Sequence, residues 1–383
     1  MIKYQFSWLK AKLRRKVMLR NCHLYLSVIS FCFVFLGLSY SYAKTKVTLT
    51  EQDTQLAQEL KIKPEKLAEL KEKPIYKFSE KDLDIYLGYI QKAEPNLRNR
   101  IVHLGRKNLG QPYKIFLLGE FPFELFDDDP MYCLKQSDCV VFSEHTYAMA
   151  LAKNWRGFFV LLQRIRFKNG EIGMLTRNHY TEADWDINNS WLVEDITEEL
   201  IGDRAATFSE DINRAAFFKK YNIGQDIPIQ KFSTQYIPCE LIPEVIGKLQ
   251  NGDFVNVVRG YDEPSWVGHT GLIAIAPDGT VDFLHSTPPK VKEQPILEYM
   301  NKAVNHWAEI DKHNAYVDEM KKKGITFERK GFFRKKVELK KQAKLYGFKF
   351  LRLRENPLDN LRKLDGADTP RVTAPLGLLK DSE

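Results

Sequence analysis

Cys139 has the most pointed chemical setting in this chain. It ends the polar run Lys135-Gln136-Ser137-Asp138 and opens the stretch Val140-Val141-Phe142-Ser143-Glu144, so the pattern predicts a helix that begins at the thiol. A helix start leaves amide N–H groups unpaired and carries partial positive charge, which favours a thiolate and can hold an oxyanion. Far downstream, His269 and His285 fall on what reads as one β-hairpin: His269 to Ile275, a Pro277-Asp278-Gly279 turn, then Val281 to His285. Setting Ile275 opposite Val281 puts Ile273 opposite Phe283 and Gly271 opposite His285. The two histidines then share a face as diagonal neighbours, roughly 7 to 8 Å apart between backbones, with Gly271 leaving space between them. A thiol nucleophile needs a base that titrates near neutral pH and a third polar group to orient that base. His269 reads as the base and His285 as the orienting group. This is the layout of a cysteine hydrolase.

Plainer readings compete with it. A free cysteine packs well as a small hydrophobe, and a lone strand histidine is more often structural. Cys139, His269 and His285 could also ligate zinc, but no His-x-x-x-His or Cys-x-x-Cys pair supports that, so no metal and no cofactor are expected.

Several elements must position these residues. Residues 44 to 75 are charged and helix-prone, Ser79 to Gln91 opens on a Ser-x-x-Asp cap, and Pro95 to Leu109 ends at Gly110. Residues 113 to 134 read as irregular and include Asp127-Asp128-Asp129. The Cys139 helix shows Val140, Val141, Tyr147, Ala148 and Leu151 at core-facing spacing and stops near Asn154. Another helix runs from Phe158 to Phe167. Arg177-Asn178-His179-Tyr180, Trp185 and Trp191 lie in a turn-rich segment with no assigned element, either lining a site or filling an irregular core. Gly252 to Val258 reads as a strand before the hairpin, and Tyr346 to Leu351 as a closing strand.

The net charge of +8 does not argue for nucleic acid. Seven Lys and Arg residues, and no acid, fall within residues 1–43; subtracting them leaves +1. That segment places basic residues before an apolar run, Leu24 to Leu38, and ends in Ser41-Tyr42-Ala43, the pattern of a cleaved signal peptide. The run is short of the ~20 residues a spanning helix needs, so the expectation is a periplasmic or secreted protein with no stable membrane anchor after cleavage. Cleavage leaves Cys133, Cys139 and Cys239, an odd number, with a Cys133–Cys139 disulfide as the alternative to a free nucleophile.

Asp138-Cys139, Gly268-His269-Thr270-Gly271-Leu272-Ile273 and Leu284-His285-Ser286, in that order, resemble the NlpC-type papain-like cell-wall amidases and peptidases. Leu109-Gly110-Gln111-Pro112-Tyr113, Arg164-Ile165-Arg166-Phe167, Arg177-Asn178-His179-Tyr180 and Asp184-Trp185 are similar to the N-acetylmuramyl-L-alanine amidase-like branch. The resemblance covers about residues 76–355. It implies an α+β papain-like fold, with a nucleophile helix packed on an antiparallel sheet and helical insertions. It also implies hydrolysis of the amide between N-acetylmuramic acid and L-alanine in muropeptides, with Cys139, His269 and His285 catalytic. Tyr113, Asp138, Arg177, His179, Tyr180 and Trp185 are implied as substrate-binding, the arginine suiting stem carboxylates. Val140, Val141 and Ser286-Thr287 depart from the threonines and alanine common in the family. The expected organisation is a signal peptide (1–43), a helical extension (44–75), the amidase domain (76–355) with a basic helical insert at about 301–343, and a flexible tail (356–383). Other readings are a γ-D-glutamyl-diamino-acid endopeptidase, a non-catalytic wall-binding homologue and a thiol-dependent acyltransferase acting on lipids.

Overall fold

The computed structural model describes residues 47–261, 265–330 and 333–368. The expected signal peptide lies outside them, as does the end of the expected tail. Helices α1 (Glu51–Glu59), α2 (Pro64–Glu72), α3 (Glu80–Ala93) and α4 (Leu97–Arg106) come first. Thr50 with Asp53, and Ser79 with Asp82, close reciprocal capping boxes at α1 and α3, as the second pattern foretold. The first two helices pack into the core, since Ala57, Leu67 and Leu70 are buried in the same cluster as Leu83, Leu87 and Ile90 of α3.

Residues 111 to 138 are largely irregular, and α5 (Cys139–Leu151) and α6 (Trp155–Arg166) follow. Side chains from Val141 to Leu151 are all buried, so α5 runs through the interior rather than over the surface. The sheet comprises β1 (Val193–Asp195), β2 (Ala206–Ile212), β3 (Gln230–Pro238), β4 (Phe254–Gly260), β5 (Ser265–Ile275), β6 (Val281–Thr287) and β7 (Lys290–Pro295). It is completed by β10 (Lys344–Leu353). The order is β2-β3-β10-β4-β5-β6-β7, with β1 also paired to β10, and every pairing is antiparallel. The expected closing strand is therefore central, between β3 and β4. Its sequence gave no sign of this, because β2 and β3 carry mixed polar patterns and were not foreseen.

Two apolar layers cover the sheet. Phe254, Leu272, Ala274 and Leu284 join the helical cluster with Phe142, Tyr147 and Ala148 of α5. Val255, Val257, Ile273, Phe283, Phe348 and Phe350 form the opposite layer, closed by Ile296 and Met300 of α7 (Ile296–Lys322). This alternation follows from the two-residue strand period. The basic insert is helical only in its first half; a short hairpin, β8 (Phe327–Lys330) and β9 (Phe333–Lys336), follows α7. The expected flexible tail also needs correction, because α8 (Pro357–Asp368) docks Leu361 fully into the helical cluster. Among the described residues no helix is long and apolar enough to cross a membrane.

Leu361→Ala should lower stability by about 2 to 5 kcal/mol, the cost of emptying a packed leucine site. A urea unfolding midpoint unchanged from wild type would show that α8 is not part of the core.

Candidate active site

Local forces fix Cys139 at the first position of α5. Asp138 is the N-cap, its Oδ1 accepting from the Val141 N–H at 2.9 Å, and the approach to it is held from both sides. His145, one turn along α5, donates from Nδ1 to the Val141 carbonyl at 2.8 Å and accepts the Cys133 N–H on Nε2 at 3.3 Å. Ser137 Oγ lies 2.7 Å from Gln111 Oε1 and 3.0 Å from Ser286 Oγ, while the Ser286 hydroxyl donates to the Ser137 carbonyl at 2.9 Å. The loop two residues before the thiol is thus tied to the residue after His285. Cys133, Cys139 and Cys239 are all free thiols.

The hairpin register agrees with the sequence reading: Ile275 faces Val281 and Ile273 faces Phe283. His269 Nε2 and His285 Nδ1 are 2.6 Å apart, with ring centroids at 4.9 Å. Gly271 is needed for this approach, since a Cβ there would sit 2.6 Å from the Phe283 ring and 2.8 Å from His285 Cβ. The row continues, because Gln294 of β7 places its amide nitrogen 3.0 Å from His285 Nε2. Phe283 stacks on His285 at 4.3 Å, and Tyr299 of α7 stands 5.6 Å from the same ring. Gln294 and Tyr299 were missed in the sequence. Gln294 could have been found by continuing the two-residue alternation past Pro288-Pro289, whereas Tyr299 lies on a helix whose docking no local pattern reveals.

Electrostatics correct one expectation. The Cys139 thiol is pushed up to about 11, first by burial and then by the Asp138 carboxylate, with the Thr270 backbone and side chain drawing it back. The helix start does not overcome these two effects. His269 is pushed down to about 3 by burial, then by Arg259 and Lys292. His285 is lowered by burial, then by His269, Lys292 and Arg259. The resting groups are therefore a neutral thiol and neutral imidazoles. Tyr113 is half-buried, and its hydroxyl is raised by burial, then by the charges of Cys139 and Asp138.

The other expected substrate residues are already engaged within the protein. Arg177 Nη1 donates to Glu120 and Asp127, each at 3.2 Å. His179 Nε2 meets the Met174 carbonyl at 2.7 Å and packs on Phe217 and Phe218. The Tyr180 ring lies under the Arg214 guanidinium at 5.4 Å. Trp185 is 1% exposed, stacks on Phe254 at 4.3 Å and donates to Glu144 at 3.1 Å, so it is a core residue and not a cleft wall. Asp138 spends a carboxylate oxygen on its helix. Among the described residues no group of three or more His, Cys, Asp or Glu side chains could hold a metal ion.

Residues 103–305, more than half the chain and including Cys139, His269 and His285, match the AmiA-like, N-acetylmuramoyl-L-alanine amidase-like family. The chain belongs to that family. Its fold, mixed helices on an antiparallel sheet, is shared with a Legionella pneumophila protein of the DUF1460 family, which is 17% identical with a TM-score of 0.56 over 72% of this chain and 96% of that one. An N-acetylmuramoyl-L-alanine amidase from Bacteroides uniformis is similar at 19% identity and a TM-score of 0.46, over 68% of this chain and 99% of that one. No curated protein matches the sequence.

Because the thiol is raised, alkylation of Cys139 by iodoacetamide, followed peptide by peptide in a mass spectrometer, should keep accelerating above the ordinary thiol range of about 8.5. A rate already level at neutral pH would mean a resting thiolate.

Proposed function

We propose that this protein is a cysteine-dependent amidase of the NlpC-type, papain-like kind that releases L-alanine-terminated stems from muropeptides outside the cytoplasm. The observation that carries the reading is the hydrogen-bonded row His269–His285–Gln294, together with a free cysteine at a helix start that interacts with Thr270, the residue after His269, in an amidase-like chain. In the proposed reaction His269 takes the Cys139 proton as the sulfur attacks the lactyl carbonyl. The first amides of α5 face the developing oxyanion, and His269 then returns the proton to the leaving L-alanine nitrogen. Water hydrolyses the resulting thioester, giving the free lactyl acid and restoring the thiol.

The polarity of the row decides whether the base can act. If Gln294 accepts the His285 Nε2–H through Oε1, then His285 Nδ1 accepts the His269 Nε2–H. The other nitrogen of His269, Nδ1, keeps a lone pair for the thiol proton. If the glutamine donates instead, each proton moves to the opposite nitrogen and that lone pair is lost. The two amide orientations are equivalent in shape, so Gln294 is proposed as a positioning residue that selects the tautomer.

Incubation of the protein with a defined muropeptide and weighing of the products tests the reaction. Release of a free L-alanine-terminated stem, abolished in Cys139→Ala, is the expected result; cleavage after glutamate would instead mark the endopeptidase. No turnover by wild type, with binding unchanged in Cys139→Ala, would mark a wall-binding protein.

Gln294→Glu, an obligate acceptor, should retain most of the activity, whereas Gln294→Leu should lower kcat about tenfold or more, with little change in KM. Equal kcat values for the two variants would remove the glutamine from the mechanism.

A further inference from the structure

The sheet face that carries the histidines also carries two cations. Arg259 of β4 lines one side, and Lys292 of β7 stands directly opposite His285 in the β6–β7 register. A cavity of about 1060 Å³ opens against them, bounded by β7, the start of α7 and residues 342–345; its wall carries three cations, Arg259, Lys292 and Lys302, and two acids on α7, Glu298 and Glu309, beside Gln294 and Tyr299. That is room for a ligand of several residues. Gln294 and Tyr299 are the same side chains that touch the histidine row, so the cavity adjoins the proposed reaction centre. Arg259 Nη2 donates to the Tyr299 hydroxyl at 2.7 Å, while its Nε is buried with no hydrogen-bond partner among the described residues.

This placement is costly for a base. Burial first, and then the charges of Arg259 and Lys292, hold the two imidazoles in their neutral forms, and a buried guanidinium N–H without an acceptor loses a hydrogen bond. An anion bound between the two cations would offset their charge and supply that acceptor at once. It would accept from Arg259 Nε and offset the charges that oppose proton transfer to His269. Part of the wall, including His306, Trp307, Gln342 and Ala343, lies beyond the residues that match the family.

We propose that the Arg259–Lys292 cleft is a carboxylate subsite that holds the acidic peptide stem of the muropeptide against the histidine row. The assignment rests on the amidase reading for its substrate, but not for its chemistry. Occupancy by a stem carboxylate makes the base stronger only when the right substrate is present, so recognition and activation are linked.

The test uses the full chain and two substrates, a muropeptide with free stem carboxylates and the same compound with those carboxylates amidated. Wild type should prefer the acid form at least tenfold in kcat/KM. Arg259→Gln and Lys292→Gln should each reduce that preference about tenfold, through both KM and kcat for the acid form. An unchanged preference in Lys292→Gln and in a folded Arg259→Gln overturns the proposal; if Arg259→Gln does not fold, the Lys292 variant decides alone. If wild type cleaves neither substrate, the amidase reading fails, and the subsite is judged by calorimetry with the peptide L-alanyl-γ-D-glutamyl-diamino acid. Weaker binding to Lys292→Gln than to wild type then supports the subsite, and equal or undetectable binding to both overturns it.

Discussion

The arrangement depends on one contact, the 2.6 Å approach of His269 Nε2 to His285 Nδ1 across a β-hairpin. Diagonal neighbours on adjacent strands do not normally bring two rings into direct hydrogen bonding. Here Gly271 removes the side chain that would stand between them, and Phe283 stacks beneath His285 to fix its plane. Gln294 and Tyr299 close the remaining sides, from the next strand and from α7. Each of these residues is explained by the need to hold two neutral imidazoles in one orientation. A rotation of either ring would leave buried nitrogens without partners, at a cost of about 1 to 3 kcal/mol each.

The helix that starts at the cysteine belongs to the other apolar layer. α5 packs its side chains against Phe254, Leu272 and Leu284, while the histidines belong to the face that carries Ile273 and Phe283. The Ser137–Ser286 contact fastens the loop before the thiol to the strand that bears His285. Burial then sets the resting protonation. Asp138 stabilises the helix start as its cap but opposes ionisation of its neighbour, and burial, reinforced by Arg259 and Lys292, keeps the imidazoles uncharged. A site poised as neutral groups is chemically quiet until a ligand changes the local field, which gives the cationic cleft its place in the account.

The hairpin was legible because its chemistry is local. Alternation and a Pro-Asp-Gly turn fix a register, and a register fixes which side chains meet. The helix at Cys139 was legible for the same reason, through the Asp138 cap. What escaped was decided at long range. Trp185 and Arg177 belong to a motif that reads as a cleft but is consumed by Glu144, and by Glu120 and Asp127, because burial left those carboxylates in need of partners. The central position of β10 depends on β3 and β4 meeting it from distant parts of the chain, and Leu361 docks a helix whose three leucines, Leu358, Leu361 and Leu364, stand among charged residues near the terminus. The depressed thiol acidity was also missed, since the dipole at a helix start is local whereas desolvation reflects the whole surrounding fold.

The most direct measurement is long-range ¹H–¹⁵N NMR of the imidazoles in the wild-type protein, with His269→Gln and His285→Gln used to assign the signals. Both rings should remain neutral, each in a single tautomer, from pH 8 down through about pH 5, well past the ordinary histidine midpoint of about 6.5. A ring that titrates at that ordinary midpoint, or nitrogen shifts averaged between tautomers, would contradict the buried hydrogen-bonded row.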